Sequence, residues 1–257
     1  MLGAIAGDVI GSVYEGNPIK TKDFPLFGPR STFTDDSVLS AAVASWILDG
    51  GDLVSIVRRY AQVYPNRGYG ASFQEWLETR SHQPYGSFGN GSAMRVSPVG
   101  WAFGTIEETL DRAAGSAAIT HNHPEGIRGA QATAAAVFFA RQTRDKELIK
   151  AEVERRFGYD LSHPLDEIRP GYSFDVTCQG TVPQALRAFL ESKDYEDAVR
   201  NAISLGGDAD TLAAIAGSVA EAYYGSVPPA IETQVIQRLD EGLIATIRRF
   251  QGKFLSR

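Results

Sequence analysis

The sequence predicts an all-α fold, and three of its properties support that prediction. Segments of alternating Val, Ile and Thr, which are typical of half-buried strands, are almost absent from the 257 residues. Apolar residues recur instead with helical spacing, and Gly or Pro separates one such segment from the next. Hydrophobic residues make up 43% of the chain, which is enough for a full core. We therefore expect roughly a dozen helices in one domain over residues 1–257.

The predicted helices follow one another along the chain, with irregular segments at 15–30, 81–91 and 157–179. In the first helix, Gly3, Gly7 and Gly11 leave room for another backbone to approach closely. A run rich in alanine after residue 210 is expected to form the buried core helix. The expected helices are 2–14, 36–49, 52–64, 71–80, 92–103, 106–119, 125–142, 145–156, 182–192, 195–205, 210–224, 229–238 and 240–252.

A glycine turn with two aspartates precedes that core helix. Gly206 and Gly207 lead into Asp208 and Asp210, and the hydroxyl of Thr211 follows the second carboxylate. Backbone N–H groups and the positive end of the helix dipole gather at such a helix start. A simple N-cap would also explain one aspartate at this place, because Asp is a favoured N-cap residue.

A second cluster of the same kind, Thr34-Asp35-Asp36-Ser37, opens the helix predicted over 36–49. Capping a helix requires only one acid, and adjacent carboxylates repel each other. Two clusters of hydroxyls and acids suit a hard divalent cation such as Mg²⁺, which takes oxygen ligands. Four carboxylates would be enough for two ions, provided that the fold brings the clusters together.

The segment Ser81–Ser92 is the loop richest in glycine. Its glycines at 86, 89 and 91 are expected to expose backbone N–H groups that bind phosphate oxygens, although an ordinary connection between helices explains them equally well. Phe88 could stack on a base or ribose, or anchor the loop in the core. The lysine of a Walker loop and the strand of a dinucleotide fingerprint are both missing.

Two single residues are further candidates. His121 lies between two predicted helices with no cysteine nearby, which favours a polar contact to substrate or a role at a helix end over a zinc site. Glu15 follows the first helix and begins a long loop, where a carboxylate could serve as general acid or base. A surface glutamate at a helix end is the alternative for Glu15.

The composition excludes several classes of protein. The net charge of −6 and the lack of a basic stripe argue against nucleic acid as a partner. The single cysteine, Cys178, excludes an internal disulfide framework and fits a reducing compartment. Asp8 interrupts the first apolar run, and no run is long enough to span a bilayer, so we expect a cytoplasmic protein without a signal peptide or membrane anchor. The sequence does not indicate an oligomeric state.

Taken together, the motifs resemble those of the ADP-ribosylglycohydrolases, also called DraG-like or ARH hydrolases, over nearly the whole length. The family implies an all-α orthogonal bundle with a binuclear Mg²⁺ centre. Ser37 and Ala209 stand where many members have Thr. The segments that carry the resemblance are Gly3–Asp8, Gly11–Glu15, Thr34–Ser37, Gly89–Arg95, Thr120–His121 and Gly206–Thr211 with the helix up to Gly225.

The resemblance implies a role for each matching residue. It implies that Glu15 is the catalytic glutamate of the branch that releases serine-linked ADP-ribose, and that His121 contacts ribose. It implies a diphosphate and ribose loop formed by Gly86, Ser87, Phe88, Gly89, Asn90 and Gly91. The implied ligands of two Mg²⁺ ions, with Mn²⁺ as an alternative, are Thr34, Asp35, Asp36, Asp208, Asp210 and Thr211.

The function that this resemblance implies is Mg²⁺-dependent hydrolysis of the glycosidic bond between ADP-ribose and an acceptor. The expected substrate is an ADP-ribosylated protein that carries the group on a Ser or Arg side chain. Two alternatives stay open. One is a hydrolase of another conjugate, such as O-acetyl-ADP-ribose. The other is a relative without catalysis that binds ADP-ribose or, like the crystallin members, is structural.

Overall fold

The computed structural model describes residues 1–79 and 81–255, and in this part of the chain it contains fifteen helices and no β-strand. Twelve of the helices have eight residues or more, so the all-α prediction is confirmed. The helices are α1 (Leu2–Gly11), α2 (Asp35–Asp49), α3 (Leu53–Val63), α4 (Ala71–Glu78), α5 (Gly91–Met94), α6 (Ser97–Ala102), α7 (Ile106–Ala118), α8 (Pro124–Thr143), α9 (Lys146–Phe157), α10 (Leu165–Ile168), α11 (Cys178–Leu190), α12 (Tyr195–Ile203), α13 (Ala209–Tyr224), α14 (Pro229–Ile236) and α15 (Glu241–Phe254).

Helix α13 forms the centre of the core and packs against α1, α8, α11 and α12. Every residue of α1 is buried, as is α13 from Ala209 to Ala222. The two helices cross at their glycines, where a Cβ on Gly7 would lie 2.1 Å from the carbonyl oxygen of Ala213. The close approach expected from the small residues of the first helix is therefore observed, and it joins α1 to a helix that begins about 200 residues later.

Several predicted boundaries are wrong. The first helix ends at Gly11 rather than residue 14, and α10 lies inside the segment 157–179 that was expected to be irregular. Two further errors occur where proline lies near a helix end. The helix expected over 92–103 is interrupted between Met94 and Ser97, because Pro98 has no N–H to donate to the carbonyl of Met94. Conversely, α11 begins at Cys178 rather than Val182, since Thr177 caps its N-terminus by accepting a hydrogen bond from the N–H of Gly180. The predicted end of α4 at Arg80 lies outside the described residues.

The long loop between α1 and α2 is fastened to the helices at several points. The hydroxyl of Tyr14 donates to the carbonyl of Pro25. Farther along, the ammonium of Lys20 donates to the carbonyls of Arg169, Tyr172 and Leu205. Arg200 donates to the carbonyl of Phe24 and places its guanidinium 4.9 Å from that ring. The loop thus connects α1 with α2 along a fixed path.

None of the helices in the described ranges is both long and apolar enough to cross a membrane.

Candidate active site

A cavity of about 440 Å³ lies where the starts of α2 and α13 meet the glycine-rich loop before α5. One wall is acidic and contains Asp35, Asp36, Asp208 and Asp210. The facing wall consists of the glycine loop and His121. The fold therefore brings together two motifs that are separated by about 170 residues in the sequence.

The two aspartate motifs meet directly at the acidic wall. The Oγ1 atom of Thr211, in the first turn of α13, lies 3.3 Å from the Oδ2 atom of Asp36, in the first turn of α2. Thr34 caps α2 by accepting from the N–H of Asp36. Asp208 holds the N-cap position of α13, but its side chain makes no capping bond. It accepts instead from the side-chain amide of Asn90 at 2.7 Å.

Behind this wall lies Asp8 of α1, a carboxylate that sequence reasoning did not assign to the site. It is fully buried and accepts hydrogen bonds from the N–H and the hydroxyl of both Thr34 and Ser37. Because the hydroxyl proton of Thr34 is directed to Asp8, a lone pair of that oxygen is left for another partner. The only sequence signal was an acid inside an otherwise apolar helix.

Burial dominates the electrostatics of the acidic wall. It raises the pKa of Asp35 to about 8 with help from the charge of Asp8, and it raises the pKa of Asp8 itself to about 6. The pKa values of Asp36 and Asp210 are also well above the ordinary range, first through burial and then through neighbouring carboxylates. Within residues 1–79 and 81–255, none of these acids pairs with Lys or Arg.

Glu15 lies at the mouth of the cavity, four residues after the end of α1. One carboxylate oxygen each from Glu15, Asp208 and Asp210 lie within 4.8 Å of one another. Partial burial raises the pKa of Glu15, and the charges of Asp208 and Asp8 raise it further. A carboxyl with a raised pKa beside a cavity is suited to general acid–base catalysis.

The glycine loop forms the opposite wall, but most of its N–H groups are already used. Gly86 donates to the side chain of Asn122, Ser87 to the carbonyl of Thr120, and Gly89 to the hydroxyl of Ser87. The N–H of Asn90 is bonded to the carbonyl of Val176. Of the N–H groups from Gly86 to Ser92, those of Phe88, Gly91 and Ser92 have no protein acceptor among the described residues. The predicted phosphate cradle is therefore narrower than the glycine pattern indicates.

His121 is buried beside this loop, 5% exposed, and burial holds its pKa well below the ordinary value. Its imidazole is therefore neutral at physiological pH. Its Nε2 atom lies so close to the loop that a Cβ on Gly91 would be 3.1 Å away. The cavity also contacts Arg95, a fully buried arginine that the sequence analysis quoted only as part of a motif.

Two further parts of the lining were missed. The segment from Gly68 to Phe73, around the start of α4, closes the side of the cavity next to Asp35. Phe174 and Val176 line the cavity on another side and are 55% and 49% exposed. An antiparallel bridge between Gly89 and Thr177 holds this segment against the glycine loop. A pair of glycines at 68 and 70 was the only sequence signal.

Most of the predicted site residues do line the cavity, with three exceptions. Thr34 lies behind Asp36, where its hydroxyl donates to Asp8. Gly86 does not line the cavity and has a φ of 72°. Phe88 is 46% exposed, and its ring lies 5.3 Å from that of His123. The residues at the cavity surface are Glu15, Asp35, Asp36, Ser87, Gly89, Asn90, Gly91, His121, Asp208, Asp210 and Thr211.

Comparison with known proteins agrees with this arrangement. The family model of the ADP-ribosylglycohydrolases matches residues 1–255. The chain belongs to the ADP-ribosylglycohydrolase family. A solved structure described as an ADP-ribosylglycohydrolase-related protein complex aligns with a TM-score of 0.74 and 26% identity, covering 98% of this chain and 96% of that one. The all-α bundle predicted from the resemblance is thereby confirmed as an ADP-ribosylglycohydrolase fold.

Curated ADP-ribosylglycohydrolase relatives are similar over most of their length. ADP-ribosylhydrolase ARH3 of Gallus gallus is 28% identical, with 90% of this chain and 86% of that protein covered. ADP-ribosylarginine hydrolase Tri1 of Pseudomonas putida is 26% identical, with 89% of this chain and 71% of that protein covered. The chain is accordingly a hydrolase that acts on glycosidic bonds of ADP-ribose conjugates, with an acidic cluster suited to a metal.

Proposed function

We propose that this ADP-ribosylglycohydrolase is a Mg²⁺-dependent enzyme that releases ADP-ribose from a modified protein side chain. The observation that carries the proposal is the meeting of the two aspartate motifs on one wall of a cavity that faces a glycine loop. One wall suits cations and the other suits the oxygens of a phosphorylated sugar. Residues 1–257 would form a single domain around this cavity.

The acidic wall fits divalent metal ions. Asp36 Oδ1 is buried without a hydrogen-bond partner among the described residues, and neighbouring carboxylates lack a countercharge. An uncompensated buried carboxylate costs free energy, which a cation would offset. We propose that two Mg²⁺ ions, or Mn²⁺ ions, are held by Thr34, Asp35, Asp36, Asp208, Asp210 and Thr211. When bound, the ions would supply positive charge that orients the ribose hydroxyls.

The protein groups on the other wall fit the nucleotide part of the substrate. We propose that the N–H of Gly91, which lies at the cavity surface, donates to a diphosphate oxygen and that His121 contacts ribose. Phe174 lines the cavity and offers apolar surface for a base, and we propose that the exposed ring of Phe88 extends that surface outside the cavity. The predicted binding set of Gly86, Ser87, Phe88, Gly89, Asn90 and Gly91 then divides into groups that touch the ligand and groups that hold the loop.

Glu15 is proposed as the general acid or base. In the reaction, the bond from the anomeric carbon to the acceptor heteroatom breaks, water adds at that carbon, and the acceptor leaves with a proton. Glu15 lies at the mouth, where the acceptor would enter, and its raised pKa suits proton transfer. Ser and Arg side chains both remain candidate acceptors. The reducing environment that suits the lone buried Cys178 favours a cytoplasmic location.

Turnover of serine-linked, arginine-linked and O-acetyl-linked ADP-ribose, measured side by side, tests the proposal. Each substrate is assayed with Mg²⁺, with Mn²⁺ and with a chelator, and product ADP-ribose is quantified. We expect metal-dependent release from a protein side chain. Release from the acetyl conjugate alone would assign the alternative substrate. Binding of ADP-ribose without turnover of any conjugate would make the chain a binding module and contradict the proposal.

A further inference from the structure

Arg95 is the only lysine or arginine that lines the cavity within the described part of the chain, and its side chain is completely buried. It forms no ion pair with a carboxylate there, and its Nε and Nη1 atoms have no partner. Burial lowers the pKa of the Arg95 guanidinium to about 10, so it stays charged at neutral pH. A buried charge without a countercharge is weak support for a fold, which indicates a role other than stability.

Arg95 is connected to His121 by two hydrogen bonds that share the hydroxyl group of Thr120. Nη2 of Arg95 donates to the carbonyl of Ser116 at 2.8 Å and to Oγ1 of Thr120 at 2.9 Å. The same Oγ1 atom lies 2.7 Å from Nδ1 of His121. Thr120 is fully buried, and within residues 1–79 and 81–255 its hydroxyl oxygen has these two partners and no third.

The direction of each hydrogen bond follows from the chemistry of the groups. A guanidinium can only donate, so the hydroxyl oxygen of Thr120 is the acceptor of the bond from Arg95. The hydroxyl proton then has one acceptor within reach, which is Nδ1 of His121. If Nδ1 instead carried a proton, the buried hydroxyl proton would have no partner, which disfavours that tautomer. The neutral imidazole therefore carries its proton on Nε2.

We propose that Arg95 and Thr120 are positioning residues that fix His121 as the Nε2–H tautomer and direct this N–H at the bound ligand. Nε2 has no protein hydrogen-bond partner in the described residues and lies against Gly89 and Gly91 at the cavity surface. The inference rests on the proposed function in one respect, namely that an ADP-ribose oxygen accepts this hydrogen bond. It assigns His121 as a donor and excludes it as a general base or metal ligand.

The tautomer is measured directly in the ligand-free protein. Long-range ¹H–¹⁵N correlation spectra of ¹⁵N-histidine-labelled protein distinguish the two ring nitrogens, and His121→Gln assigns the signals. We expect a single neutral Nε2–H form of His121 from pH 8 down to about pH 5, below the ordinary histidine pKa of about 6.5. An Nδ1–H tautomer, or an imidazolium at pH 7, would overturn the proposal.

The chain of hydrogen bonds from Arg95 through Thr120 to His121, here called the relay, is then tested by paired variants. Thr120→Val removes the hydroxyl at nearly constant volume, and Thr120→Ser restores it. Thr133→Val is the matched control, because Thr133 is buried on α8 with an unpartnered hydroxyl and does not line the cavity. We expect Thr120→Val to raise the Kd for ADP-ribose about tenfold, the effect of one hydrogen bond. Thr120→Ser and Thr133→Val should stay within about twofold of the parent protein.

A parental Kd in Thr120→Val with an intact fold by circular dichroism would overturn the relay, as would an equal loss in Thr120→Ser. A parent protein that fails to bind ADP-ribose overturns the proposed function instead. In that case the relay is judged on the tautomer of His121 alone, because the spectra require no ligand. The two failures are therefore distinguishable.

Discussion

The acidic wall and the glycine-loop wall face each other across one cavity but differ in how their polar groups are satisfied. On the acidic wall, Asp36 and Asp210 are buried and pair with no Lys or Arg of the described residues, and their pKa values are raised. On the glycine-loop wall, the N–H groups of Gly86, Ser87, Gly89 and Asn90 have acceptors, and His121 is held by a chain of hydrogen bonds that begins at Arg95. The acidic wall therefore holds buried carboxylates without a countercharge from the described residues, whereas the groups of the glycine-loop wall are already held by hydrogen bonds.

This difference indicates that the two walls respond to different ligands. A wall of uncompensated acids gains stability from a bound cation, and its binding free energy is linked to proton release. A wall whose donors are already held loses little entropy when a nucleotide binds, which is the advantage of preorganisation. Changes on the acidic wall should therefore affect turnover and stability together, and changes on the other wall should affect mainly nucleotide affinity.

The largest effect is expected from Asp210→Asn, which removes one charge from the acidic wall. Activity should fall to the level of buffer alone, a loss of at least about 10²-fold. The metal-free protein should be at least as stable as the parent, because a buried charge disappears. Asp145→Asn, at the N-cap of α9 away from the cavity, is the control. Turnover and metal-free Tm are measured; a folded Asp210→Asn protein with parental turnover would contradict the metal assignment.

The next effect concerns Glu15→Gln, which keeps the shape of the side chain and removes its charge. Loss of general acid–base catalysis should lower kcat by about 10²–10⁴-fold. The Kd for ADP-ribose should change only a few-fold, because Glu15 lies at the mouth on the acceptor side. Glu107→Gln on the exposed first turn of α7 is the control. Equal loss of ADP-ribose binding would place Glu15 among the metal ligands, near Asp208 and Asp210, and unchanged kcat would make it a surface residue.

A smaller effect is expected from Gly91→Ala on the glycine-loop wall. The added methyl group would lie 3.1 Å from Nε2 of His121, so the imidazole must shift away from the ligand. The Kd for ADP-ribose, measured by calorimetry, should rise about tenfold while the metal-free Tm stays unchanged. Gly115→Ala in α7 has open space around the new Cβ and serves as the matched control. Equal affinities of the two variants would remove His121 from the nucleotide site.

The smallest effect is a pH dependence confined to the acidic wall. The folded pKa values of Asp8 and Asp35, about 6 and about 8, exceed the ordinary value of 3.8. Their contribution to stability is therefore present below about pH 4 and is lost as the pH rises to 8. The Tm of the metal-free protein should decrease over this interval, and saturating Mg²⁺ should remove the decrease. A decrease that Mg²⁺ leaves unchanged would show that the ions do not neutralise these acids.

The parts of the site that were predictable from sequence are those in which the local pattern carries the chemistry. Thr34 and Asp208 mark helix starts, and their neighbouring acids are unusual at any helix start. Most helices followed from periodicity, but the break before Pro98 depends on one missing N–H, and the start of α11 depends on the cap by Thr177.

The missed parts depend on contacts between distant segments. Asp8 is an isolated acid in an apolar helix until α2 brings four donors to it. Arg95 resembles any helical arginine in the sequence, because nothing local indicates that its side chain is buried beside Thr120. The glycine loop was overestimated as a phosphate cradle for the same reason, since the acceptors of its N–H groups lie at residues 120, 122 and 176.

The glycine contact between α1 and α13 has a consequence for how the protein is made. The main packing partner of α1 begins at Ala209, so the face of α1 that α13 covers stays exposed while the chain between them is being synthesised. Synthesis runs from the N-terminal side, and contacts between such distant segments form late. The nascent chain therefore exposes this apolar face until α13 has left the exit tunnel, and the acidic wall is completed in the same late step.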